Sequence, residues 1–269
     1  MENLRLPDQV GLGAWQLKLK MGNEGFGKTV ECRVLISENR IRSEYNIRMP
    51  GIDIAGFLGI LSVAVIPVLF AVTLHEVAHG WVAMKLGDRT AELAGRLTVN
   101  PIKHVDPMGT VVVPMVLALL TPFIFGWAKP VPVVFHNLRQ PRRDMVLVAV
   151  AGPVANLLMA LGWAFISGLM SSLSMTAGGF SGWITGMCLF GIHINVILAV
   201  FNMLPIPPLD GGRVLAGLLP PRNALLLHRI EPFGFMIVIG LMFTGLLWTF
   251  IDPFRFFFLD FFFSVAGIA

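Results

Sequence analysis

His75 and His79 stand four residues apart, with Glu76 directly after the first, in the stretch AVTLHEVAHGWVAMKLGD. On a helix that spacing sends both imidazoles out of one face, about 6 Å apart, where two ring nitrogens can reach one metal ion. Tetrahedral zinc takes imidazole nitrogens at about 2.0–2.1 Å, and a catalytic zinc uses three protein ligands and keeps its fourth position open. A glutamate beside the first histidine then faces water at the open position and can act as its general base, the chemistry of metal-assisted peptide hydrolysis. As a bare pattern HExxH is weak. Its surroundings give it weight, because three polar groups within five positions interrupt an apolar run, and ionisable residues in such runs are costly and functional by default.

A third ligand is required, and several residues could supply it. The remaining histidines are His104, His136, His193 and His228. His104, in NPIKHVDP after Asn100, reads first as a turn residue near an interface, and the other three have no partner spacing and read as structural. The notable carboxylate is Asp210, in FNMLPIPPLDGGRVLAGLLP. It has two readings. It could be an ordinary N-cap for a helix starting at Gly211. Alternatively it is a ligand on irregular backbone: Pro205, Pro207 and Pro208 break an apolar helix where it should leave the membrane, and irregular backbone survives at that depth only where it lines protein or a cavity.

The elements that must carry these groups are membrane segments. Of the 269 residues 55% are hydrophobic and only 13% charged, against about 25% charged in soluble domains, and the mean hydropathy is +0.76. At about 20 apolar residues per span the chain has room for about six crossings at most. The net charge of +4 is modest, and the basic residues cluster beside apolar runs, which points to membrane orientation and away from nucleic acid. Cys32 and Cys188 lack CxxC spacing and suggest no disulfide framework. The run from Ile52 to Leu86 could form a helix of roughly 50 Å with a kink at Pro67. Further apolar segments cover 108–126, 144–171, 184–204 and 232–250, and the aromatic tail FRFFFLDFFFSVAGIA closes the chain.

Chemistry constrains topology, since the two histidines and Asp210 can share a metal only if they meet. His75 lies about eleven residues, or roughly 16 Å, from the end of its helix. If 108–126 crossed the membrane, Asp210 would emerge on the opposite face from that end. If 108–126 instead enters and returns, the ligands converge, and the basic residues between Lys85 and Arg229 all fall on one side, which the positive-inside rule makes cytoplasmic. Pro114, Pro122 and the extended-looking WAKPVPVVF suit a re-entrant hairpin with a short strand able to pair with an unwound substrate.

The combination of HEVAH, AGPVAN and NMLPIPPLDGGRVL resembles the site-2 protease family of intramembrane zinc metalloproteases. The stretches DRTAELAGRLTVNPIKHVDPMGT, GWAKPVPV and RIEPFGF resemble its compact bacterial and archaeal branch, without PDZ or CBS domains. The likeness runs from about Met49 to about Thr249. It implies that His75, His79 and Asp210 bind one zinc ion per chain and that Glu76 activates water. It also implies that Asn156, closing the GxxxN pattern from Gly152, lies near the site, positioning substrate or polarising the scissile carbonyl. Without the family, Asn156 in an apolar helix reads as an interhelical hydrogen bond.

The expected molecule is thus an all-α polytopic membrane protein with about four to six transmembrane helices, a re-entrant hairpin and a short strand near the active site. Residues 49–250 form the membrane-embedded metalloprotease domain, and 251–269 a membrane or interfacial segment. Its expected activity is zinc-dependent hydrolysis of a peptide bond in or near a transmembrane segment of another membrane protein, in a prokaryotic plasma membrane, with the active site nearer the cytoplasmic face. Lys129, Pro130, Val131, Pro132 and Asn202 are the expected substrate contacts. A catalytically idle scaffold for client helices is the alternative from another class, opposed by the intact Glu76 and ligand set. A metal transporter would need ionisable residues along a crossing path, and these segments have few. Residues 1–48 hold eight of the twenty basic residues and have no counterpart in the family likeness. They are expected to be a poorly ordered or dispensable extension, with Met49 a plausible start.

Overall fold

The computed structural model describes residues 15–23, 28–36, 45–49, 54–113, 116, 126, 128–173 and 179–267. The chain divides into two compact units, Met1–Ile60 and Leu61–Ala269, the division falling inside the first helix. In the first unit β1 (Trp15–Asn23), β2 (Lys28–Ile36) and β3 (Tyr45–Met49) form an antiparallel sheet in that order. Its register pairs Leu19 with Cys32 and Cys32 with Ile47, bringing alternating apolar positions into the same rows. Among the described residues from Ile54 onward the all-α class holds.

From Ile54 onward every described element is a helix or helical turn. α1 (Ile54–Lys85) continues through Pro67 and carries HEVAH in its last third. After a turn at Gly87, which has a φ of 116°, comes the four-residue α2 (Thr90–Leu93). Next come two helical turns, a 3-10 turn at Pro101–His104 and a π turn at Pro107–Val112 capped by Asp106. α3 (Pro141–Ser172) starts with proline at its first position and with Asp144, whose carboxylate accepts from the Gln140 N–H at 2.8 Å. α4 (Gly179–Asn202), α5 (Asp210–Leu218), α6 (Pro221–Phe243) and α7 (Leu246–Val265) complete the chain.

Among the described residues four stretches are long and apolar enough to cross a membrane: Leu58–Lys85, Pro141–Ser172, Gly179–Asn202 and Pro221–Phe243. α7 carries Asp252, Arg255 and Asp260, yet its Leu247, Ile251, Leu259 and Phe262 are buried in one cluster with Ala160 and Ala164 of α3 and Ile192, Val196 and Val200 of α4. Small residues set the helix spacing, as is usual where lipid offers no hydrophobic drive. A Cβ on Gly191 would lie 2.6 Å from the Trp163 ring, so α3 and α4 approach this closely only because position 191 has no side chain.

The re-entrant hairpin expected over 108–126 lies largely outside the described residues. Its flanks do not. The Arg139 N–H donates to the Leu86 carbonyl at 3.0 Å, joining the end of α1 to the entry of α3. Segment 128–134, expected as a short strand, is extended at Val134 but pairs with no strand among the described residues. Cysteines replacing the exposed Arg89 and Arg139 should therefore react with an impermeant thiol reagent from one side of the membrane, and a cysteine at exposed Ser172, the far end of α3, from the other. Labelling of positions 89 and 139 from opposite sides would overturn this arrangement.

Candidate active site

Two helices build the histidine pair. α1 and α3 run antiparallel, so that His75 and His79 face Gly152 and Asn156. The His75 Nδ1 lies 2.5 Å from Asn156 Oδ1, and His79 Nδ1 lies 2.7 Å from the Val148 carbonyl. Both partners are acceptors. The Asn156 amide is oriented by its own Nδ2, which donates to the Ala71 carbonyl at 3.1 Å and to Asn195 Oδ1 at 2.9 Å. Each histidine therefore carries its proton on Nδ1 and presents a bare Nε2 lone pair. Gly152 leaves room for them: a Cβ there would lie 2.6 Å from His75 Cε1 and closer still to His79 Nε2.

Asp210 lies 131 residues beyond His79 in sequence. It is the first residue of α5, the N-cap position belongs to Leu209, and no side-chain cap bond is made there, so the capping reading does not describe it. Close backbone packing aims it. A Cβ on Gly211 would overlap the Met203 and Leu204 carbonyls, one on Gly212 the backbone at Ile206 and Pro207, and one on Gly234 of α6 the Pro207 carbonyl. The carboxylate Oδ2 lies 3.1 Å from His75 Nε2 and 3.3 Å from His79 Nε2, and the two Nε2 atoms are 3.0 Å apart.

With both imidazoles neutral, these three buried atoms are all acceptors. Asp210 Oδ2 has no hydrogen-bond donor. Converging lone pairs away from water are costly unless a cation sits among them. Tetrahedral zinc with arms of about 2.0–2.1 Å holds its ligand atoms about 3.3 Å apart, which matches this triangle, so the residues present fit the metal.

Glu76, half-buried one residue along α1, turns its carboxylate to a different partner. Its Oε2 accepts from the Val131 N–H at 2.8 Å. Of the expected substrate contacts Val131 is thus brought to the site, with Lys129, Pro130 and Pro132 flanking it on the same segment. The Asn202 amide donates back to the Leu198 carbonyl at 2.9 Å within α4.

Two side chains that sequence reasoning missed fasten the 128–134 segment. Asp88, fully buried just beyond α1, accepts from the Val134 N–H at 2.6 Å, Asn137 Nδ2 at 3.2 Å, the Thr90 N–H at 3.0 Å and the Thr90 hydroxyl. Arg96 donates from Nη2 to the Lys129 carbonyl at 2.7 Å, and the Lys129 N–H donates to the His104 carbonyl at 3.0 Å. Burial alone would raise the Asp88 pKa, but the donors outweigh it and hold the carboxyl below its usual range. Its stabilising contribution is accordingly present at neutral pH and lost as pH falls through that lowered value. The Asp-x-Thr spacing signals a local turn; nothing in it announces a reach to residue 134.

A family model described as Peptidase family M50 matches residues 63–245, which contain all of these side chains. The chain belongs to peptidase family M50. It is 40% identical over 190 residues to YwhC of Bacillus subtilis (strain 168), covering 70% of this chain and 84% of that protein. It is 31% identical over 206 residues to Rip2 of Mycolicibacterium smegmatis, covering 76% of each. MJ0611 of Methanocaldococcus jannaschii is 35% identical over 103 residues, 38% of this chain and 50% of that protein. All three carry zinc metalloprotease names. No solved structure matches the chain. This M50 peptidase is a zinc metalloprotease, a hydrolase with zinc as cofactor, and with its four apolar helices a multi-pass membrane protein.

Proposed function

We propose that this M50 peptidase cuts a peptide bond in or near a transmembrane helix of another membrane protein, with His75, His79 and Asp210 holding the zinc and Glu76 as general base. The observation that carries the reading is the convergence of two bare imidazole nitrogens and one donorless carboxylate oxygen in a buried site beside a second carboxylate. When bound, zinc supplies Lewis acidity at the reacting centre.

Every other step belongs to the chain. Glu76 takes a proton from the attacking water and passes it to the leaving amine, and the Val131 N–H holds the carboxylate in one orientation meanwhile. The substrate must unwind, because helical peptide bonds are shielded. Segment 128–134 serves the unwound form as a template: in extended backbone alternate residues face the same way, so Val133 shares the Glu76 side with Val131, while Pro130 and Pro132 offer only carbonyls. His75 lies ten residues before the end of α1, a depth of about 15 Å. The basic residues gathered beyond that end support an active site nearer the cytoplasmic face of a cell membrane.

The test uses the full chain reconstituted in liposomes with a single-span model substrate. Cleavage within or next to the span, abolished by a chelator and restored by stoichiometric zinc, is the expected result. Cleavage of water-soluble peptides alone, with the membrane substrate untouched, would overturn the intramembrane reading.

A further inference from the structure

Asn195 lies on α4 and is fully buried, away from the converging ligand atoms. Its amide nonetheless has a direction. Asn195 Nδ2 donates to the Gly191 carbonyl at 2.8 Å, one turn back on its own helix, and a carbonyl can only accept. That fixes Oδ1 as the end facing α3, where it accepts from Asn156 Nδ2 at 2.9 Å. Asn156 Nδ2 gives its second proton to the Ala71 carbonyl at 3.1 Å, so Asn156 must present Oδ1 to His75. His75 in turn must protonate Nδ1 and leave Nε2 bare.

We infer that Asn195 is a positioning residue for the zinc site, acting through Asn156 to hold His75 in its metal-binding tautomer. This rests on the proposed assignment of His75 as a ligand. Four groups, the Gly191 carbonyl, Asn195, Asn156 and His75, form a chain in which each choice of direction forces the next. It spans three helices and starts from a backbone carbonyl that cannot be reversed. With the Asn195 acceptor gone, Asn156 would keep one of its two fixing acceptors, the Ala71 carbonyl, and turning its amide over to give His75 Nδ1 a donor would cost one hydrogen bond in place of two. His75 would then carry its proton on Nε2, pointing at the other two ligand atoms. Gly191 serves the same chain twice, because its missing side chain also admits the Trp163 ring and lets α4 lie close enough to α3 for the two amides to meet.

The same network separates Asn156 from a substrate role. Its carboxamide has all its protons and its oxygen engaged by protein partners, and the residue is fully buried. A group that served the substrate would affect KM or turnover and leave metal affinity alone. A group that orients a ligand affects metal affinity first, by about 10- to 100-fold for partners of this kind.

The experiment measures zinc affinity of the purified full chain by chelator competition, and the His75 tautomer in metal-free protein by nitrogen-15 NMR of labelled histidine. Asn195→Leu should bind zinc about 10- to 100-fold more weakly and lose the pure Nδ1–H signature, while KM of the fully loaded enzyme stays near wild type. Asn156→Asp, which keeps an acceptor for His75 Nδ1–H, should hold zinc far better than Asn156→Leu. Wild-type zinc affinity in folded Asn195→Leu overturns the inference, as does equal affinity in the two Asn156 variants. Should Asn195→Leu fail to fold, an Nε2–H tautomer of His75 in the metal-free wild type overturns it directly. His75→Ala keeps the two levels apart. Loss of zinc there with no change in folded Asn195→Leu defeats this inference alone, whereas retained zinc in His75→Ala defeats the ligand assignment and the inference with it.

Discussion

Glu76→Gln should keep zinc at wild-type stoichiometry and lose cleavage by on the order of 10²- to 10⁴-fold, the range contributed by a positioned general base. The variant is close to isosteric, and its amide oxygen can still accept from the Val131 N–H that now meets Glu76 Oε2 at 2.8 Å. The 128–134 segment thus stays in place, the three metal-facing atoms are untouched, and only the capacity to take a proton is removed. Cleavage rates in liposomes, with zinc measured on the same preparation, give the answer. Near-wild-type cleavage would remove Glu76 from the mechanism. Loss of zinc along with activity would mean that the carboxylate helps to hold the site together.

The helix carrying the histidines was legible because its signal is local: His75, Glu76 and His79 declare one face by spacing alone, and the apolar run around them declares a membrane span. Asp210 was legible only as a choice between cap and ligand. What brings it to the histidines is distance through space, set by glycines 211, 212 and 234 letting backbones nearly touch, and close approach leaves little trace in one sequence beyond the glycines themselves. Asn156 shows the same limit. Its place beside the site was expected, while its engagement with His75, Ala71 and Asn195 depends on the packing of three helices.

Asn202 reads as a site residue by its nearness to the Pro-rich loop, and its amide bonds the Leu198 carbonyl one turn back, as an amide late in a helix readily does. Segment 128–134 is neither helix nor paired strand, and its alternating prolines exclude helix. Its fastening by Asp88 and Arg96 joins residues 33 to 46 positions apart, beyond any local periodicity.

Asp210→Ala should weaken zinc binding by more than about 100-fold, the upper end of what outer partners of a metal contribute, and abolish cleavage with it. Its effect on stability changes sign with the metal. In metal-free protein the Asp210 oxygen sits 3.1 and 3.3 Å from two bare imidazole nitrogens with no donor of its own. At a pH that keeps both imidazoles neutral, removing that buried charge relieves a cost. Metal-free Asp210→Ala is therefore expected to melt at or above the temperature of metal-free wild type. In zinc the order reverses, because wild type gains stability in proportion to the logarithm of ligand concentration over Kd and the variant gains far less. Thermal unfolding with chelator and with excess zinc gives four midpoints, and the crossing between them is the signature of a ligand. A variant that melts lower than wild type in both conditions by the same amount, with unchanged zinc affinity, would make Asp210 a structural residue of α5 and leave the two histidines in need of another third partner.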